Sequence, residues 1–147
     1  MAKGFAAFTA IWLVSLTSGS ICAGDWPQIL GPNRNGQAMG EQLAESWPAA
    51  GPKVLWRSKL GSGYAGVAVA GDRVYILGNE DLEEESVRAL SVADGKRLWA
   101  VKLGKVGGPD QRPSYPGARS TPTVIGDRLY ALGSDGDRSE EHTSELQ

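Results

Sequence analysis

One histidine, one cysteine and two acidic stretches are the groups in this 147-residue chain whose types invite chemistry. His142 stands in "RSEEHTSELQ" (138–147), with Glu140 and Glu141 before it and Glu145 after it. Brought together, such groups would make a metal shell or an acid–base pair. The run "EDLEEES" (80–86) holds the second set of carboxylates. A calcium site needs oxygens spaced along a shaped loop, and the consecutive Glu83, Glu84 and Glu85 point in different directions. The run lies between two apolar stretches, so it is expected to be a solvated hairpin loop. The segment "KVGGPDQRPSYPGARS" (105–120) is longer than most loops, and long loops are often functional. Its Arg112, Tyr115, Arg119 and Ser120 could meet an anionic ligand; the plainer reading is a Pro/Gly-rich surface loop.

Strands must position these groups. "GVAVAGDRVYILGN" (66–79) carries two apolar runs around Gly71-Asp72, a two-residue hairpin signal. The arrangement returns around Asp94-Gly95 in "SVRALSVADGKRLWAVKLG" (86–104) and around Gly126-Asp127 in "TPTVIGDRLYALG" (121–133). Beyond the first 23 residues, no segment keeps a helical apolar period over ten positions. The chain therefore reads as all-β.

Internal repetition gives the architecture. "GDRVYILG" (71–78) matches "GDRLYALG" (126–133) at six of eight positions, an offset of 55. "LWRSKLG" (55–61) matches "LWAVKLG" (98–104) at five of seven, an offset of 43. A longer link before the second copy accounts for the difference. A unit of about 43 residues with four strands has the size of a β-propeller blade. The strand "RVYILG" supports this: Val74 and Ile76 face one way, Tyr75 and Leu77 the other, so both faces must be covered. A β-sandwich is the competing architecture and should show more polar alternation. Trp56, Trp99, Tyr75 and Tyr130 fall at repeat-equivalent positions, which marks them as packing residues.

The ends carry a different kind of information. Lys3 precedes the apolar run "GFAAFTAIWLVSL" (4–16), too short for a comfortable membrane span. Ile21 and Ala23 fit a secretory cleavage site after residue 23, which predicts export to the periplasm or beyond. An uncleaved anchor is the alternative. A lipoprotein signal at Cys22 is disfavoured because the large Ile21 precedes it. After cleavage the chain holds no cysteine, so disulfide and thiol chemistry are excluded from it. The formal net charge of −2 comes entirely from residues 138–147, and the balanced remainder argues against nucleic acid as a partner.

"ALSVADGKRLW" (89–99) resembles the tryptophan-docking repeat of quinoprotein-type propellers, which runs Ala-x-Asp-x-x-Thr-Gly-x-x-x-Trp. Ala89, Gly95 and Trp99 fall in register, Ser91 replaces the Asp and Asp94 the Thr, and Trp56 sits one unit earlier. "DWPQILGPNRNGQ" (25–37) and "ESWPAAGPKVLW" (45–56) are similar to the leading segment of exported bacterial PQQ-like propellers. The resemblance implies one of two activities. One is a quinone-free scaffold that binds other envelope proteins, similar to the outer-membrane assembly propeller. The other is a PQQ- and calcium-dependent alcohol or sugar dehydrogenase, for which Arg112, Tyr115, Arg119 and Ser120 are the only quinone-contact candidates here. None of that branch's catalytic Asp or calcium ligands is matched in this chain. The resemblance also implies seven or eight blades. Residues 24–52 then form the leading segment, 53–59 an opening strand, 63–104 one blade, and the rest two strands of another. The chain accordingly reads as the N-terminal piece of a longer protein.

The strand pattern is lost after Asp137. Residues 138–147 can be written back as AGA TCG GAA GAG CAC ACG TCT GAA CTC CAG, which resembles a common short-read sequencing adapter in frame over all ten residues. On that reading His142 and its glutamates are not a site, and the alternative is a genuine acidic tail. Peptide mapping of protein from its natural source is expected to recover peptides up to residue 137 and none from 138–147.

Overall fold

A computed structural model of the chain describes residues 24–40, 44–107 and 116–143. Residues 1–23, where the secretory signal is expected, lie outside them, together with Arg112 and Tyr115. The described residues contain strands and no helix, so the all-β expectation holds, and no helix is long and apolar enough to cross a membrane. The strands are β1 (Ala68–Ala70), β2 (Arg73–Glu80), β3 (Glu84–Ser91), β4 (Arg97–Lys105), β5 (Thr123–Ile125), β6 (Arg128–Leu132) and β7 (Arg138–His142).

They form two antiparallel sheets with neighbouring strands in sequence order, β1-β2-β3-β4 and β5-β6-β7. The first is a complete four-stranded blade. The Gly71-Asp72 turn joins β1 to β2, with Ala70 opposite Arg73. Gly126-Asp127 does the same between β5 and β6, with Ile125 opposite Arg128. The repeat in sequence is therefore a repeat in structure. Between the sheets lies one core: Ala68, Tyr75, Leu77, Val87, Ala89 and Trp99 from the first, Leu129 and Ala131 from the second, and Ala118 from the link. Tyr75, Ala89 and Trp99 share a face because the register sets Tyr75 opposite Ala89 and Ala89 opposite Trp99.

The leading segment straps the two inner strands together. Trp26 exchanges two backbone hydrogen bonds with Val69 beside β1, at 2.8 and 2.9 Å. One residue on, the Pro27 carbonyl accepts the Val124 N–H of β5 at 2.8 Å, and the Asp25 carboxylate accepts the Gly71 N–H at 2.8 Å.

Three expectations change. Residues 53–60 belong to no ladder; they run extended past the first sheet, tied by the Leu60 carbonyl accepting the Asn79 N–H at 2.9 Å. β1 pairs with only residues 73–75 of β2, so the far half of β2 is open on that side, and residues 53–60 meet it through this one bond without forming a ladder. The acidic run is not one loop: Glu80 ends β2, Glu84 to Ser86 begin β3, and only residues 81–83 turn. Strand alternation then puts Glu85 on the face of Val87, fully buried. Finally, the second sheet has three strands rather than two, because Arg138–His142 pairs with β6 in unbroken register. Unpaired N–H and C=O groups along an edge accept any extended segment, so its polar sequence does not prevent pairing.

Leu129 has no exposed surface and reaches from the second sheet into the shared core. Leu129→Ala should destabilise the protein by about 2–5 kcal/mol, read as a lowered urea midpoint.

Candidate functional site

The geometry most specific to this sequence lies at one end of the first blade. The turn from β3 to β4 is closed by Gly95 N–H to the Ser91 carbonyl at 2.9 Å and by Lys96 N–H to the Asp94 carboxylate at 3.2 Å. Gly95 takes φ +70°, a conformation natural to glycine. The indole of Trp56 lies on this turn: a Cβ at residue 95 would sit 2.5 Å from its Cε3. The Trp56 Nε1–H donates to the Val92 carbonyl at 2.7 Å. Residues 53–60 are thus held on the sheet by a ring and one hydrogen bond. Asp94 and Gly95 carry out the turn role expected of them, with Asp94 substituting for the threonine of the repeat pattern by accepting the Lys96 N–H. The Lys96 ammonium and N–H, both on the Asp94 carboxylate, hold that acid below its usual range.

At the opposite end, polar groups converge near the 105–120 link. Asn79 is buried, accepts the Ser62 and Leu82 N–H groups at 3.4 and 3.3 Å, and donates to the Ser62 carbonyl. Glu85 accepts the Ser134 N–H at 2.7 Å through Oε2, while its buried Oε1 has no partner among the described residues. Gly133 leaves room for it, since a Cβ there would be 3.1 Å from Oε2. Ser134 stands at the repeat position of Asn79 and likewise binds the incoming link, its Oγ accepting the Gly107 N–H at 2.7 Å. Sequence reasoning missed Asn79 and Glu85. The 55-residue offset relating Asn79 to Ser134 was the available signal for the first.

Of the other candidates, Arg112 and Tyr115 lie outside the described residues. Ser120 donates its hydroxyl to the Leu132 carbonyl, and Arg119 is exposed on the link. Glu140 is bound by Arg128 and Tyr130, an arrangement that lowers its carboxyl through the Arg128 hydrogen bond first. His142 instead lies 3.4 Å from the Asp127 carboxylate, both side chains well exposed. Among the described residues no three His, Cys, Asp or Glu come together around a cation position. Tyr75, in the core, has its phenol raised by burial, with the Arg73 charge opposing.

A groove of about 390 Å³ runs over the other face of the first sheet, with Glu80, Glu84, Arg88, Arg97 and Lys102 among its walls. Arg88 is buried, its Nε donating to the Ser86 hydroxyl at 2.9 Å and its Nη2 lying 3.6 Å from Glu80. Charges on a blade face suit a contact with another polar surface rather than a solvent-free core.

A four-stranded antiparallel sheet and a three-stranded one that repeats its sequence, packed on one core, with a tryptophan seated on a turn glycine of the first, define a propeller-type repeat protein. Comparison with protein families sharpens this: the profile described as outer membrane protein assembly factor BamB (PQQ_2) matches residues 37–140. The chain belongs to that family of PQQ-like repeat proteins. No curated protein and no solved structure matches it significantly.

Two substitutions separate ring from hydrogen bond at the seat. Trp56→Phe should lower stability by about 0.5–1.5 kcal/mol, the worth of one hydrogen bond, with the ring retained. Gly95→Val should lower it further, since φ alone costs about 1–2 kcal/mol and the Cβ also displaces the indole. Thermal unfolding followed by circular dichroism checks the order.

Proposed function

We propose that the protein is an exported propeller repeat protein that acts as a binding scaffold in the bacterial envelope. The observation that carries this reading is the blade itself. Its side chains at both ends are spent on joining repeats, Trp56 with Gly95 at one end and Asn79 and Glu85 with the links at the other. The family profile supports it by its description as an assembly factor. The leader at 1–23 supports export, and an envelope location follows from both. The partner chemistry would be other envelope proteins, met by exposed loops and by charged blade faces such as that around Arg88 and Lys102.

The mature protein should begin at Gly24, as read by N-terminal sequencing from the periplasmic fraction. The purified protein should bind outer-membrane assembly components and show no calorimetric binding of PQQ with calcium. Quinone binding together with alcohol-dependent dye reduction would replace the scaffold reading with a dehydrogenase.

A further inference from the structure

Among the described residues Glu85 is the one acid with no exposed surface. Its Oε2 accepts the Ser134 N–H at 2.7 Å, and its Oε1 has no partner among them. Neither Glu85 nor the nearby Asp137 makes an ion pair with a described Lys or Arg. A buried carboxylate without a compensating charge is costly, and native proteins seldom leave such an oxygen unmet.

Asp137 borders the same space from the second sheet. A Cβ on Gly133 would lie 3.1 Å from Glu85 Oε2 and 3.6 Å from Asp137 Cβ. On the first sheet Gly104 is the ladder partner of Glu85, and a Cβ there would collide with Asp137 Oδ2. Two glycines, one on each sheet, therefore keep side chains out of the space that the two carboxylates border. Ser134 adds a hydroxyl from the same turn; its Oγ accepts the Gly107 N–H at 2.7 Å and keeps a second lone pair. The turn is closed by the Gly133 N–H on the Asp137 carbonyl at 2.7 Å. Asp137 is exposed, so the cluster opens to water on one side, and none of its oxygens belongs to residues 138–147.

The donors at this seam are two carboxylates and a hydroxyl, with no nitrogen or sulfur among them. Oxygen sets of this kind select a hard divalent cation, and calcium accepts an irregular set completed by water. We propose that Glu85, Asp137 and Ser134 hold a calcium ion at the seam between the first blade and the second sheet. The ion neutralises the buried Glu85 charge and ties β3 to the turn after β6, so that calcium in the surrounding fluid tightens the joint between repeats. Two carboxylates are a small set, which predicts weak binding that follows the ambient concentration. The inference rests on the geometry of the seam and needs no quinone. It is independent of the scaffold reading, so loss of partner binding would leave it standing.

The test titrates calcium chloride into the full chain after stripping with a chelator, without quinone. Calorimetry should give a dissociation constant of about 0.1–1 mM, the range of extracellular calcium modules. Calcium at about ten times that constant should raise the melting temperature by roughly 4–8 °C through mass action. Sodium chloride of equal ionic strength should not. Glu85→Gln keeps the shape and removes the charge, and it should abolish both the heat and the shift. Asp137→Asn, on the exposed turn, should weaken binding by about tenfold or more, since affinity follows the ligand charge count. Glu83→Gln, an acid two residues from Glu85 and outside the cluster, should leave binding unchanged. Should Glu85→Gln fold poorly, Asp137→Asn against Glu83→Gln carries the comparison by itself. An absence of calcium heat, which is the result expected if a proton meets Oε1, would overturn the inference. So would an equal shift in sodium chloride, or calcium binding that survives Asp137→Asn undiminished. The quinone titration is made with calcium already present, so that the two results are read separately.

Discussion

An indole lies flat on a β-turn only where the turn has no side chain to lift it. Gly95 meets that requirement, and the rest of the arrangement follows from it. With Trp56 seated and its N–H given to Val92, residues 53–60 are fixed across the blade without joining any strand ladder. That matters because the blade buries apolar side chains on both faces: Tyr75, Leu77 and Val87 on one, and Ile76 and Leu90, beside the charged groove, on the other. The first face is covered by the second sheet through Leu129 and Ala131; the second is covered in part by the segment that Trp56 anchors. A single stacked ring thus helps a sheet that buries apolar side chains on both faces persist next to water.

The opposite end is joined by polar groups rather than by a ring. Asn79 binds the link before the first blade, and Ser134, at the equivalent position, binds the link before the second sheet. Glu85 reaches from β3 to the backbone after β6 and so couples one repeat to the next. Hydrogen bonds of this kind demand a fixed separation and direction, so they set the stagger between repeats. Apolar packing in the middle fixes only how close the sheets come. The leading segment adds a third tie, Trp26 to Val69 and Pro27 to Val124, across the inner strands.

Much of this was legible in the residues. The turn glycines at 71, 95 and 126 and the two-faced strand "RVYILG" lead to antiparallel repeat units, the first of which has four strands. The 43-residue tryptophan spacing leads to the repeat class, and the family profile agrees. Less was legible at the site. Glu85 reads as a solvated acid because its neighbours Glu83 and Glu84 are acidic, yet strand alternation turns it inward where they face outward or sideways. Residues 53–60 have the composition of a strand, yet they share only one backbone bond with β2, because ladder membership depends on register with a neighbour, which a linear sequence does not display. The polar segment Arg138–His142 lacks an apolar pattern and still pairs, since backbone groups alone satisfy the β6 edge.

By itself the sequence determined the local rules: where the chain reverses, which residues alternate across a strand, and at what interval the unit returns. These depend on φ/ψ preference and side-chain period, both properties of a few consecutive residues. Only the tertiary structure decided which buried polar group meets which partner. Stacking two sheets gave Glu85 the Ser134 N–H, and the pass of residues 53–60 over the first sheet gave Trp56 the Val92 carbonyl. Such pairings join residues about 36–49 positions apart, and their geometry exists only once register and stacking have fixed both sides.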